Sequence, residues 1–295
     1  MRGGGNGGKL VGARHVLVRG DRARYSRPLD DRVHGEPARR PRGTWSSRRG
    51  FVAPLVFGVV LLSTWQALTG SGVVSTFFLP TPGVVAETLG RGLLQGSVLN
   101  YTWITLVESL LGSLLGAVVA IPLGYAIARN ALVAAMLQPY LAALQAIPAV
   151  ALAPLLALWL GYGLTPVVVL CALLVFFPIV VNTTLGLRTL DREVLDAARV
   201  DGATRWRLCR HVEAPLALPS VLAGLRTGVT WSVTGAVVGE LVVGGSGLGQ
   251  FLAVQRDYAD SAGLFATLVV LAALAAALHG GVRLVEGWVS RRVGE

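Results

Sequence analysis

Two glycine clusters are the first candidates for binding chemistry. The run Gly3–Lys9 is one residue short of the phosphate-binding pattern G-x-x-x-x-G-K-[ST], because Leu10 replaces the hydroxyl residue that would coordinate magnesium. No strand pattern precedes this run and no helix pattern follows it. Lys9 is the only lysine, so no second loop of this kind exists, and any ATP hydrolysis must come from a separate subunit. The cluster Gly244–Gly249 lacks the strand-loop-helix context of a dinucleotide site, and we predict a flexible extracytoplasmic turn there.

Metal-binding or nucleophilic groups do not cluster in the sequence. Cys171, in an apolar run, and Cys209, in a basic loop, cannot supply a disulfide framework or a four-ligand zinc site. The four histidines lack metal-ligand spacing, and no Ser, His and Asp combination has a recognisable nucleophile setting. These histidines are His15, His34, His211 and His279. We therefore predict a protein that is not an enzyme, with no catalytic residue, metal or cofactor.

A few polar or aromatic side chains inside apolar segments are candidates for a transport pathway. Arg226 lies about 16 Å along a helix from Pro215, too far to reach water by snorkelling alone. It either balances an anionic substrate or serves structure, by pairing with an acid or capping carbonyls between two copies of the chain. Trp231 either lines a cavity or packs against lipid or a neighbouring helix. We expect Glu240 and Glu108 to reach interfacial water, as gate or packing groups.

The elements that must position these residues are membrane spans. Of 295 residues, 53% are hydrophobic and 14% are charged, and the mean hydropathy is +0.62. A soluble domain carries roughly a quarter of charged residues. A soluble enzyme is therefore largely excluded, and the solvent expected for this chain is a lipid bilayer.

Six apolar segments, separated by Gly, Pro and charged residues, predict six transmembrane helices. The third is short, and Pro148 and Pro154 interrupt the apolar stretch that follows it. We interpret residues 148–159 as a broken or re-entrant helix packed against protein, not as a seventh span. The predicted spans are 51–68, 103–127, 132–147, 165–187, 215–243 and 262–285.

The distribution of basic residues predicts that both termini are cytoplasmic. Residues 1–50 hold 13 of the 26 Lys and Arg. Without them, ten basic residues still fall on the same side of the membrane as the N-terminus and two on the other. We expect residues 1–50 to be a disordered cytoplasmic tail, solvated or bound to anionic lipid or nucleic acid, or a start codon placed too early. The remaining apolar region, residues 51–290, is predicted to be the transmembrane domain.

The polar loop at residues 188–213 is the most informative segment. Asp191 is suited to cap a first short helix, and Gly202 to end it in a left-handed conformation. In a second short helix, Trp206, Cys209 and Val212 form a narrow apolar face among arginines. Such a helix pair is suited to docking in a groove of another protein.

This loop resembles the EAA loop of ABC importer permeases, whose pattern is E-A-A-x3-G-x9-I-x-L-P. The spacing agrees at each element, with Asp for Glu, Val for Ile and Ala for Leu. The matching residues are Asp196, Ala197, Ala198, Gly202, Val212, Ala214 and Pro215.

More of the chain, roughly residues 51–290, resembles the permeases of nitrate, sulfonate and taurine importers. The N-terminal tail has no counterpart in that branch. The matching pieces are 78–82, 116–124, 146–148 with Pro154, 176–179, 224–226, Glu240 and 247–249.

The resemblance implies an all-α, type I importer permease in the bacterial plasma membrane. It implies two ATPase subunits inside, a solute-binding protein outside, and a second permease copy in a homodimer, with no nucleic acid partner. The loop helices would convert ATPase closure into alternating access of a central cavity, with Gly202 at the bend and Asp196, Ala197 and Ala198 as the contact face.

The substrate class stays open at this point. The branch implies a small anion such as an aliphatic sulfonate, taurine or nitrate, and Arg226 would suit one. Related permeases also serve pyrimidine precursors of thiamine. The rival from another class is a stand-alone carrier or channel, for which repeated interrupted spans and midplane acids would be expected.

Overall fold

The computed structural model describes residues 47–293, and its regular structure in that range is helical throughout. The predicted tail, residues 1–50, lies outside the described residues except for its last four, with which α1 begins. The helices are α1 (Ser47–Gly70), α2 (Pro82–Leu94), α3 (Ser97–Arg129), α4 (Ala131–Gln145), α5 (Ala149–Leu160), α6 (Leu164–Arg188), α7 (Arg192–Val200), α8 (Arg205–Leu208), a π-helical turn (Cys209–Glu213), α9 (Ala214–Val243), α10 (Leu248–Asp257) and α11 (Ser261–Val293).

Five helices of the described range are long and apolar enough to cross a bilayer, namely α1, α3, α6, α9 and α11. Helices α4 and α5 meet this criterion only as a pair, and they are bent by 100° relative to each other. The predicted third span, 132–147, therefore does not qualify alone, and of the two prolines expected to interrupt the region only Pro148 lies at a break, since Pro154 lies inside α5. Pro148 lies at the break and precedes the first residue of α5, where its fixed φ suits a helix start.

The residues from Val56 onward form one compact unit. The residues before Val56 form a separate unit, of which the structure describes only the first part of α1. Within the larger unit, α6 lies between α3 and α9 and packs along both. Helix α11 packs on the other side of α9 and on α2, and the short α10 contacts α9, α11 and α3.

Glycines set how closely the three central helices approach. Val175 of α6 is fully buried, and both Gly116 of α3 and Gly228 of α9 lie close to it. A Cβ atom added at Gly228 would lie 2.9 Å from Val175 Cγ1, and one added at Gly116 would lie 2.8 Å from the carbonyl oxygen of Ala172. Lipid provides no hydrophobic driving force for helices to associate, so close packing of this kind stabilises their association instead. The α9 glycines at 224, 228, 235 and 239 thus serve helix packing.

Local capping signals fix where several helices begin. The Thr81 hydroxyl accepts a hydrogen bond from the Val84 amide, and Pro82 occupies the first helical position of α2. The Asn130 side chain accepts from the Leu132 amide at 2.9 Å and restarts the chain as α4, directly after α3 ends. The Asn130 cap lets α4 follow α3 after a single residue.

Candidate functional site

The polar loop between α6 and α9 folds as the sequence predicts in its first half. The Asp191 side chain accepts a hydrogen bond from the Glu193 amide at 2.9 Å, and α7 begins at Arg192. Leu195 is buried and anchors α7 to the rest of the loop. Asp196 lies on the exposed side, where it forms an ion pair with Arg199 at 2.7 Å. Helix α7 therefore has one anchoring residue and presents most of its surface outward.

The turn after α7 depends on Gly202, whose φ is +81°. The Ala203 amide donates to the Ala198 carbonyl at 3.1 Å, and the Gly202 amide donates to the Arg199 carbonyl at 3.0 Å. These two hydrogen bonds are typical of a helix that ends in a residue with left-handed backbone conformation. Glycine adopts that conformation without strain. The bend predicted at Gly202 is present, and space around its Cα is open.

The second half of the loop runs into α9 without a break. Helix α8 has only four residues, a π-helical turn follows, and α9 begins at Ala214 with Pro215 in its first turn. The predicted apolar face is divided, because Trp206 is 70% exposed while Cys209 and Val212 are half-buried. The extra residue of a π turn rotates the helix face, which a regular i, i+3 pattern does not anticipate.

Two anchoring contacts tie this loop to the end of α3, and neither has a signal in the sequence. The Arg129 guanidinium lies 2.8 Å from the Glu213 carboxylate, and the Glu213 side chain is 3% exposed. The Arg188 guanidinium donates to the Ile127 carbonyl at 3.2 Å. Leu208, between two arginines in the sequence, is buried as a further anchor of α8. The base of the loop is thus fixed to the membrane helices.

The outer side of the loop carries a patch suited to a protein partner. Val200 is 88% exposed, and Val194, Ala197 and Trp206 are exposed on the same pair of short helices. We call these four residues the loop face. Apolar groups rimmed by charged residues are typical of protein interaction sites. Among residues 47–293 no group of three side chains that could hold a metal ion occurs.

Arg226 has a partner inside the same chain. Its guanidinium lies 2.9 Å from the Glu286 carboxylate of α11, and both side chains are less than one-third exposed. One turn further along α9, the Thr230 hydroxyl lies 3.3 Å from the His279 imidazole. Of the roles considered for Arg226, the structure shows pairing with an acid.

Trp231 lines a cavity of about 260 Å³ between α4, α5, α6 and α9. Most of the lining is apolar, and Gln145 adds an amide while Phe177 adds a second aromatic ring. Trp231 is 52% exposed. Its role in a transport pathway stays a prediction.

The expectation that Glu240 and Glu108 reach interfacial water is wrong. Glu240 has no exposed surface and Glu108 is 2% exposed. The region after Glu240 also differs from the flexible turn expected there, because α10 begins at Leu248, and Leu248 and Gly249 are buried. Glycines permit this backbone to approach the Glu240 side chain, and hydrogen bonds then fix it. A role for Glu240 in a transport pathway stays a prediction.

The sequence of this chain is similar to those of known transport proteins. Residues 112–293 match the family described as binding-protein-dependent transport system inner membrane component. The chain is 42% identical over 228 residues to the riboflavin transport system permease protein RibX of Chloroflexus aurantiacus, covering 77% of this chain and 85% of the relative. It is 32% identical over 241 residues to the putative aliphatic sulfonates transport permease protein SsuC of Bacillus subtilis, covering 81% and 87%.

A solved structure has the same fold. A chain of the inward-facing MetNI methionine ABC transporter superposes with a TM-score of 0.60 and 20% sequence identity, covering 66% of this chain and 97% of that one. The loop and its anchors, residues 188–213 with Arg129, fall within the matched family region.

Proposed function

Because the chain belongs to the family of binding-protein-dependent transport system inner membrane components and is a multi-pass ABC transporter permease of the inner membrane, we propose that it moves a small solute inward by alternating access. In this proposal two ATPase subunits supply ATP hydrolysis, and a solute-binding protein delivers the substrate from outside. A second copy of the chain completes the pathway as a homodimer. Both termini and the loop at residues 188–213 lie on the cytoplasmic side, consistent with the bias of basic residues.

The observation that carries the proposal is the construction of the loop. Its outer side, the loop face, is apolar and free for a partner, while its base is joined to α3 by the Arg129–Glu213 ion pair and to α9 by continuous helix. A displacement imposed on the loop face is therefore transmitted to two spans at once. ATPase closure would move the loop as a unit, with Asp196, Ala197 and Ala198 at the contact and Gly202 holding the bend.

Two substrate classes, small anions and uncharged heterocycles, have support from relatives of the chain. An anion such as an aliphatic sulfonate, taurine or nitrate has support from the sulfonate permease relative. Its expected counter-charge, Arg226, is already neutralised by Glu286. An uncharged heterocycle of the riboflavin kind has support from the 42% identical relative and from a cavity whose polar lining includes Gln145 beside two aromatic side chains. We favour the uncharged heterocycle, because the apolar cavity supplies stacking surface and no unpaired cation.

The test compares two glycines in left-handed conformations. Gly202→Asp should leave the amount of membrane-inserted protein unchanged but abolish solute uptake and weaken retention of the ATPase during purification. Gly96→Asp is the matched control, since Gly96 also has a positive φ and open space but lies between α2 and α3. Normal uptake by the Gly202→Asp transporter contradicts the coupling role.

Uptake by the purified chain alone in liposomes, without an ATPase, would instead establish a stand-alone carrier or channel. Competition of uptake by excess riboflavin, taurine or an alkanesulfonate then separates the two substrate classes in cells that carry the complete transporter.

A further inference from the structure

Two buried carboxyl groups meet where α10 begins. Glu240, near the end of α9, accepts a hydrogen bond from the Thr105 hydroxyl at 2.7 Å through Oε1 and from the Gly249 amide through Oε2. The Thr105 oxygen in turn accepts from the Leu248 amide at 2.8 Å. The first two backbone amides of α10, which have no partners within the helix, are thus satisfied by one carboxylate and one hydroxyl.

Glu108 lies three residues after Thr105 on α3, so both side chains face the same side of that helix. This places Glu108 beside Glu240, to which Thr105 is hydrogen-bonded, and the Oε2 atom of Glu108 is buried without any donor. Neither carboxyl has an ion-pair partner among the described residues. The nearest titratable group of α6, the Cys171 thiol, donates to the Ser232 carbonyl at 3.3 Å and brings no positive charge.

Two ionised carboxylates in contact, buried and without a cation, repel each other and lose their hydration. A single proton removes both penalties, because a carboxylic acid donates one hydrogen bond to a neighbouring carboxylate. The donors identify the proton's position. Glu240 receives two hydrogen bonds that suit a carboxylate, whereas an ionised Glu108 would leave Oε2 charged and without a donor.

We propose that Glu108 and Glu240 share one proton, held on Glu108, and that the single negative charge on Glu240 caps α10 and fixes it to α3 and α9. The positive end of the α10 dipole faces this charge and supplies the stabilisation that a cation would otherwise provide. This pair is a proton-binding site and a latch between a short helix and two spans, whatever solute the chain moves.

Infrared spectra of the purified full-length chain at pH 7.5, in light and heavy water, test the proton. The carbonyl stretch of a protonated carboxylic acid should be present, should shift in heavy water, and should vanish in Glu108→Gln. In Glu240→Gln the band should persist at a shifted frequency, because Glu108 then lacks an anionic acceptor. Absence of the band from the unmodified chain, or its persistence unchanged in Glu108→Gln, overturns the proposal. Glu87→Gln, on an exposed part of α2, is the control.

Hydrogen exchange of the peptide that spans residues 244–251 tests the latch. Gln in place of a protonated Glu108 keeps a neutral donor, so Glu108→Gln should leave exchange unchanged. Glu240→Gln removes a charge-assisted acceptor and should speed exchange on the order of tenfold or more. If Glu240→Gln does not insert, Thr105→Ala serves, since it removes the acceptor of the Leu248 amide and should speed exchange at that residue. Equal exchange in Glu108→Gln and Glu240→Gln contradicts the assignment of the charge to Glu240.

Discussion

The Arg129 guanidinium at the end of α3 lies 2.8 Å from the Glu213 carboxylate in the π turn that precedes α9. The pair joins two spans at the point where the polar loop enters the membrane region. Glu213 is almost completely buried, so its charge depends on this partner. Removal of one member of a buried ion pair leaves the other charge uncompensated and costs about 3 kcal/mol or more.

We therefore expect Arg129→Gln to lower the thermal stability of the permease and to separate ATP hydrolysis from transport in the assembled complex. ATPase activity should persist while uptake falls, because the loop moves without α3. The control is Arg91→Gln, which removes an arginine from an exposed pair with Glu87 that is worth less than about 1 kcal/mol. Equal loss of uptake in the two variants would contradict a coupling role for the Arg129–Glu213 pair.

Trp206 should contribute to partner binding and not to folding. Its side chain is 70% exposed, so Trp206→Ala removes few internal contacts, and truncation of an interface tryptophan costs about 2 kcal/mol or more of binding free energy. Copurified ATPase per permease should fall while the amount of inserted permease stays constant. Trp103→Ala, at a tryptophan of α3 that is 64% exposed, should retain the ATPase fully.

The Arg226–Glu286 contact predicts a rescue experiment. Arg226→Gln and Glu286→Gln should each lower stability by about 1 to 3 kcal/mol, since each leaves a partly buried charge without its partner. The double variant should regain most of that loss, because two neutral amides remain in contact. Substrate concentration at half-maximal uptake should stay normal in the double variant; a large rise would restore the substrate-binding role that the sequence suggested for Arg226.

The sequence predicted features whose signals are local. The Asp191 cap, the Gly202 bend and the break at Pro148 each depend on a few adjacent residues and on the conformations that those residues allow. The spans follow from apolar length alone.

The long-range pairs could not be predicted from one sequence. Glu286 lies 60 residues from Arg226, and helix rotation about its own axis decides which polar side chains meet. The same rotation decides whether Glu108 of α3 and Glu240 of α9 meet. The π turn had no signal either, since a regular i, i+3 apolar pattern does not show where an extra residue is inserted.

The packing of α6 against α9 gives the last prediction. Gly228→Val should reduce the amount of folded permease in the membrane, because the added side chain would overlap Val175 and its backbone, and Val175 is also in close contact with α3 at Gly116. Overpacking of this kind costs about 1 to 3 kcal/mol. Gly280→Val is the matched control, since Gly280 lies in α11 with open space at its Cβ position. Fluorescence-detected size exclusion of tagged variants measures both. A normal yield of Gly228→Val would mean that α6 and α9 separate readily, and the close approach of these two helices would then not be a fixed feature of the permease.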